Sequence, residues 1–250
     1  MKHHRIARFF GFIIFFIGIS SCSQTNDIEV EHETTNRIIE FSGYEWIVRN
    51  SGTSKRGPGP NYFSDSEENV WVDEQGRLHL KIVQRKGIWY SSGVDLRRSY
   101  GYNKYVFYVG SNVYDLDENI VAGLFTYMND DEEIDIEFSR WADPDNQNAQ
   151  FAVQPSFKVG NKVRFDVEPK ENLLTTHFFD WKPESISFGS FHGHNLAALP
   201  EDVINTWTYS GEDIPPDSNE RLKINLWLFR GQSPKNNQEA ELIIDRVEIY

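Results

Sequence analysis

Short apolar or alternating runs recur along the chain, each bounded by turn residues. Val70–Val72, Leu78–Val83, Lys104–Val109, Val121–Met128, Ala149–Val153, Lys162–Val167, Ser185–Phe188, Leu222–Phe229 and Leu242–Ile249 are all of strand length. Between them sit breakers: Gly57-Pro58-Gly59-Pro60, Asp143-Pro144-Asp145, Pro215-Pro216 and Ser233-Pro234. No window sustains a helical period; Pro200 to Asn205 alone hints at one helical turn. Many short strands at such intervals predict an all-β protein, a two-sheet antiparallel sandwich of jelly-roll type.

The sharpest alternation is Glu133-Ile134-Asp135-Ile136-Glu137-Phe138. In a strand, successive side chains point to opposite faces, so the three carboxylates share one face and the three apolar side chains the other. Read as a helix, Glu133 and Glu137 form a repulsive i, i+4 pair, and β-branched isoleucine favours the strand. Three acids in a row on a sheet face repel one another and use poor strand formers. Two explanations stand at this point. The face is merely solvated, as in many half-buried strands, or it serves chemistry that needs paired carboxyl groups, such as glycoside hydrolysis.

The N-terminus reads as a processing signal. Lys2, Arg5 and Arg8 precede the apolar run from Phe9 to Ile19, which is shorter than the ~20 residues of a transmembrane helix. The run ends at Ile19-Ser20-Ser21-Cys22, a stretch that resembles the bacterial lipobox, in which the cysteine is lipidated. Cys22 is the one cysteine of the chain, so no intrachain disulfide forms. The expected organisation is a leader at 1–21, a polar, acidic tether at 22–36 and one domain at 37–250, exported and held to a membrane by its lipid. Sandwiches of about 200–250 residues commonly form one domain, and a monomer is expected.

With 38 acids against 25 bases the formal charge is −13, or −16 without the three bases of the leader. That excludes nucleic acid as a partner, since phosphate binding needs clustered Lys and Arg. A neutral glycan fits this field best, although a local basic patch can offset a net charge. Seven Trp, eleven Tyr and eighteen Phe supply both core and faces on which sugar rings can stack.

These residues resemble glycoside hydrolase family 16, the laminarinases, lichenases and their relatives. Glu133–Phe138 is similar to the family's catalytic signature. Ser92-Gly93-Val94 followed by Tyr100-Gly101-Tyr102 resembles its strand pair before the active site. His177–Ile186, with Phe179-Asp180-Trp181 and Pro183, resembles its Phe-Asp-Trp segment. Lys223-Ile224-Asn225-Leu226-Trp227 resembles the Met-Asn-Leu-Trp strand that lines the sugar cleft. The four segments occur in family order from about Phe41 to Tyr250.

The resemblance implies a jelly roll with a carbohydrate-binding cleft and an endo-acting, retaining hydrolase of a β-linked glucan or galactan. It assigns Glu133 as nucleophile, Glu137 as general acid/base and Asp135 as their modulator, with Asn225 and Trp227 at the sugar. The Cα atoms of Glu133 and Glu137 should lie about 13 Å apart, four residues at ~3.3 Å. Retention needs carboxyl groups ~5–5.5 Å apart and inversion ~6.5–9.5 Å; spacing allows both, and the resemblance favours retention. Transglycosylation uses the same intermediate, and a non-catalytic glycan-binding surface protein on the same fold is the rival from another class.

The chain also departs from the family. Many lichenase-like members carry Trp-Asp before the first catalytic Glu, where this chain has Asp131-Glu132. Trp141 either replaces that sugar contact or belongs to the core. Gly57–Phe63 reads as a turn, and it is also a segment able to carry Tyr62 or Phe63 to the cleft rim. His192-Gly193-His194 reads as a solvated loop rather than a metal pair. No cofactor is required. The resemblance implies a structural calcium on the convex side, near Asp245, but oxygen ligands are too common for sequence to decide.

Overall fold

The computed structural model describes residues 36–171 and 173–250. The leader, Cys22 and nearly all of the tether lie outside the described residues.

Sixteen strands follow in order: β1 (Ile38–Phe41), β2 (Tyr44–Val48), β3 (Tyr62–Phe63), β4 (Val70–Val72), β5 (Leu78–Arg85), β6 (Ile88–Leu96), β7 (Lys104–Val109) and β8 (Ile120–Asn129). Then come β9 (Glu132–Phe138), β10 (Ala149–Val153), β11 (Lys162–Phe165), β12 (Thr175–Lys182), β13 (Ser185–His192), β14 (Val203–Tyr209), β15 (Arg221–Leu228) and β16 (Ala240–Ile249). They form the two layers expected. One sheet runs β11-β10-β9-β8-β15-β6-β2-β1, the other β4-β5-β16-β7-β12-β13-β14, and the β5–β6 hairpin joins them. Every pairing is antiparallel except the short β3–β6 pair.

The pattern of β9 decides its orientation. Ile134, Ile136 and Phe138 are fully buried between the layers, so a period of two forces Glu133, Asp135 and Glu137 to the opposite face. Neighbours obey the same rule. Ile224 and Leu226 of β15 face inward, while Lys223, Asn225 and Trp227 face the carboxylates' side. Across the core, Phe138 meets His177 of β12 at 4.7 Å and Phe151 of β10 stacks on Phe188 of β13 at 5.1 Å. Such aromatic pairs hold the two layers in one register.

Several elements differ from the pattern-based reading. The expected helical turn is a 3-10 turn over Pro200–Asp202, and β14 begins directly after it. Strand β6 hides Ser91, Ser92 and Gly93 at full burial, so its middle lacks the apolar signal that marks a strand. Tyr100–Tyr102 is a loop rather than the second strand of a pair. There Gly101 adopts φ +65°, donates its N–H to Glu220 Oε1 at 3.0 Å and leaves no room for a Cβ beside Asp217.

Candidate active site

The carboxylate row of β9 forms one wall of a cleft of about 460 Å³, lined also by Arg49, Arg56, Gly57, Pro58, Phe125, Tyr127, Asp130, Lys223 and Trp227. The register explains the neighbourhood. On β8, Tyr127, Phe125 and Gly123 stand opposite Glu133, Asp135 and Glu137. On β10, Ala152 and Gln150 stand opposite Asp135 and Glu137. At Gly123, opposite Glu137, a Cβ would press on the Phe125 ring at 3.3 Å.

Each carboxyl group has its own support. Gln150 Nε2 donates to Glu137 Oε2 at 2.7 Å, and Gln154 Nε2 donates to Asp135 Oδ2 at 2.9 Å. Asp135 is buried at 2 % exposure and hydrogen-bonds Glu133 through its own proton, which favours ionised Glu133 and holds Asp135 neutral. Burial pushes Glu133 up to about 8, with repulsion from Glu137 adding to it. Burial pushes Glu137 up to about 8 as well, with Asp135 next in effect. Burial and Glu133 together hold Asp135 well above the usual carboxylate range. Three acids on one face cannot all ionise, and the row shares protons at neutral pH.

The remaining sequence candidates fall out unequally. Trp227 lines the cleft and packs with Phe63 and Val121. Asn225 is fully buried; with its amide turned to satisfy both neighbours it accepts from Arg49 Nη1 at 2.8 Å and donates to the Ile224 carbonyl at 3.0 Å. It therefore positions Arg49. Trp141 is half-buried, packs against the Trp227 cluster and carries the Arg164 guanidinium 4.3 Å above its ring. Its φ of +49° is rare for a bulky residue, and Trp141 is not among the residues that line the cleft. Tyr62 is not among the lining residues. It packs on Tyr90 at 6.1 Å, and the loop before it contributes Arg56, Gly57 and Pro58 instead.

Arg49, Lys223, Phe125 and Tyr127 escaped the sequence reading. Their signal was present in the alternation of Lys223-Ile224-Asn225-Leu226-Trp227 and Phe125-Thr126-Tyr127. Arg49 had none, because it follows the end of β2 and reaches the cleft only through the fold. Lys223 Nζ and Arg49 Nε both face Asp95, at 2.6 Å and 4.0 Å, so two cations share one carboxylate on this side of the cleft.

His192 and His194 do not form a solvated loop; both are half-buried. His194 Nε2 donates to the Val109 carbonyl at 3.0 Å, and Nδ1 lies 3.7 Å from Asp245 Oδ2. Asp245 Oδ1 is buried without a partner, and Gly110 is open so close to it that a Cβ there would sit 2.2 Å away. That orphaned oxygen fits a cation ligand. No group of three or more His, Cys, Asp or Glu able to hold a metal occurs among the described residues, so the other donors would be backbone carbonyls and water.

No protein-family model and no curated protein sequence matches the chain. Solved structures do. The Bacillus licheniformis β-glucanase is 19% identical with a TM-score of 0.60, covering 82% of this chain and 91% of that one. A family 16 endo-glucanase from Bacteroides ovatus, solved in complex with G4G3G-2F-DNP, is 15% identical with a TM-score of 0.58, covering 82% and 94%. The fold is that of the family 16 glycoside hydrolases. An immunostimulatory antigen and pseudo β-1,3-glucanase of Mycobacterium tuberculosis shares it at 16% identity, TM-score 0.59, covering 82% and 90%. One fold thus carries chains described as glucanases and one described as a pseudo-glucanase, and the function of this chain must be argued from its site.

Proposed function

We propose that this chain is an endo-acting, retaining glycoside hydrolase of a β-linked polysaccharide, glucan or galactan. The observation that carries the reading is the placement of Glu133 and Glu137 on the open face of β9, at the wall of a cleft, with a buried, proton-donating Asp135 between them. The expected division of labour is the one the family resemblance implies. Burial raises both carboxyls to about 8, and Glu133 is the one that the Asp135 hydrogen bond and Lys223 draw back toward ionisation; in its ionised form it attacks the anomeric carbon. Glu137, held protonated by burial, gives its proton to the leaving oxygen as the glycosidic bond breaks. Water, losing its proton to Glu137, then attacks the glycosyl ester and releases Glu133. A calcium ion held through Asp245 Oδ1 would fasten β16 to the segment at Gly110, far from this chemistry in the chain's architecture.

The test is the release of new reducing ends by the full chain from β-1,3-, β-1,4- and mixed-linkage glucans and from galactans. Activity in wild type and none in Glu133→Gln establishes the hydrolase, and a β-configured first product by NMR establishes retention. At high acceptor concentration, longer products instead of shorter ones assign transglycosylation. The pseudo-glucanase among the similar structures favours one second reading, a glycan-binding protein without turnover. It is assigned if polymers retain the protein equally with and without Glu133.

The same reading places the protein in a cell envelope, lipidated at Cys22 and tethered through residues up to 36. Cys22→Ala should move it from the membrane to the soluble fraction.

A further inference from the structure

Cations flank the carboxylate face of the sheet on both sides of β9. Arg49 and Lys223, on the β8–β15 side, face Asp95. Arg164 and Lys162, on β11 at the other side of the catalytic strand, have no ion-pair partner among the described residues.

The register puts this pair in line with the carboxylates. Gln150 pairs with Glu137 on one side and with Arg164 on the other, while Ala152 pairs with Asp135 and with Lys162. Arg164 therefore stands two strands from Glu137 on the same face, about 10 Å away by sheet spacing. Small Ala152 leaves a floor between Lys162 and the acid row. Two polar atoms in this row are buried and unpartnered: Arg164 Nε and Gln150 Oε1. The Arg164 guanidinium lies flat on Trp141 at 4.3 Å.

Glu137 feels Arg164 and Lys162 from a distance, but a half-buried guanidinium with no ion pair in contact is costly, and this chain has 38 acids from which a partner could have come. The stacked guanidinium keeps its edge free for a planar or tetrahedral anion. A sugar supplies what both orphaned atoms lack. Its hydroxyl donates to Gln150 Oε1, and an anionic substituent accepts from Arg164 and Lys162.

We propose that the β10–β11 edge of the carboxylate face, next to the residues that line the cleft, is a subsite for an anionic sugar, one bearing a sulfate ester or a carboxylate, recognised by Arg164 and Lys162 over Trp141. The preferred polymer is then a charged β-linked polysaccharide, against the neutral glycan that the net charge favours. The inference deepens the glycosidase reading and rests on it for the identity of the cleft, but its test does not need turnover.

The full chain in detergent is run through native gels containing a sulfated galactan (κ-carrageenan), the same galactan after desulfation, a carboxymethylated β-1,3-glucan, or the unmodified glucan. The Glu133→Gln variant is run beside wild type, so that binding is read without cleavage. A sulfated-only preference assigns the sulfate, and a carboxymethyl-only preference assigns the carboxylate. Retention of wild type and Glu133→Gln by a charged polymer over its neutral counterpart, lost about 10- to 100-fold in Arg164→Gln as expected for a charged hydrogen bond, supports the subsite whether or not sugar is released. Retention by neutral polymers alone, by no charged polymer, or unchanged in both Arg164→Gln and Lys162→Gln overturns it. Where turnover exists, the loss in Arg164→Gln should fall mainly on KM for the charged polymer and should lower the charged-to-neutral ratio of kcat/KM. An equal loss on both polymers, with a displaced pH profile, would mean that Arg164 only tunes Glu137, and would also overturn the proposal. A glycosidase failure reads differently: no reducing ends from any polymer, whatever the gels show.

Discussion

Gln150 Nε2 donates to Glu137 Oε2 at 2.7 Å across the β9–β10 pair. This bond stabilises the ionised carboxylate and so opposes the burial that lifts Glu137 to about 8. Gln150→Met removes the donor and keeps the volume. The alkaline limb of kcat/KM, where Glu137 loses the proton it must donate, should move up by about half a unit or more. A limb that stays in place or moves down would show that Gln150 does not act on Glu137.

The raised carboxyls also bear on stability. Their folded pKa of about 8 lies above the ordinary value of 4.5, so the native state holds protons that the unfolded chain has already released. Any stability from these groups is present below pH 4.5 and is lost as pH rises through 8. Glu137→Gln removes the titration. The variant should melt above wild type at pH 9, by an amount on the order of a few kcal/mol, and the gap should shrink toward pH 5. Thermal denaturation at the two pH values decides it; a constant gap would contradict the shift.

The alternation Glu133–Phe138 disclosed the strand, its buried face and its catalytic candidates, because a period of two is a local property. The resemblance marked a strand at Ser92–Val94, but the alternation did not show β6, and Tyr100–Tyr102 was not legible as a loop, for the opposite reason. Ser91, Ser92 and Gly93 are polar or small; Asn61 covers Ser91, and Arg49 with Asn225 covers Gly93, partners that only the fold brings there, and nothing local marks that. The cleft's second wall suffers likewise. Lys223 and Trp227 were visible on their alternating strand, but Arg49, Arg56 and Pro58 arrive from chain segments more than 70 residues before Glu133. Trp141 could be placed only once its positive φ and the Arg164 contact were seen.

Gly93 sits under the pair that shapes the cleft. A Cβ there would stand 2.2 Å from the Asn225 side-chain amide and 2.9 Å from Arg49 Cδ. Neither neighbour has room to yield: Asn225 is fully buried, and Arg49 is held by the Gly57 carbonyl at 2.7 Å. Gly93→Ala should cost about 1–3 kcal/mol, as overpacking does, and should raise KM by displacing Arg49. Denaturant unfolding and kinetics on the same variant test the two halves. An unchanged midpoint would mean that the Arg49–Asn225 pair relaxes freely.

His177 lies in the core behind β9, with Nδ1 2.7 Å from Ser190 Oγ and Nε2 2.8 Å from Thr175 Oγ1, its ring against Phe138. Burial pushes its pKa down to about 3, so it is neutral in the fold while the unfolded chain protonates near 6.5. The sign follows: this group contributes nothing unfavourable above pH 6.5, and it destabilises progressively as pH falls from 6.5 toward 3, where the unfolded state binds a proton that the native state refuses. His177→Leu leaves Ser190 and Thr175 without their partner and should cost about 2–4 kcal/mol at pH 8. Leucine has no proton to bind, so the gap between variant and wild type should narrow between pH 6.5 and 4. Urea unfolding of both proteins across that range reads the difference free of the carboxylates they share. A gap that keeps its width would mean that His177 is charged in the fold, and that the link between the two sheets behind Phe138 is ionic rather than neutral.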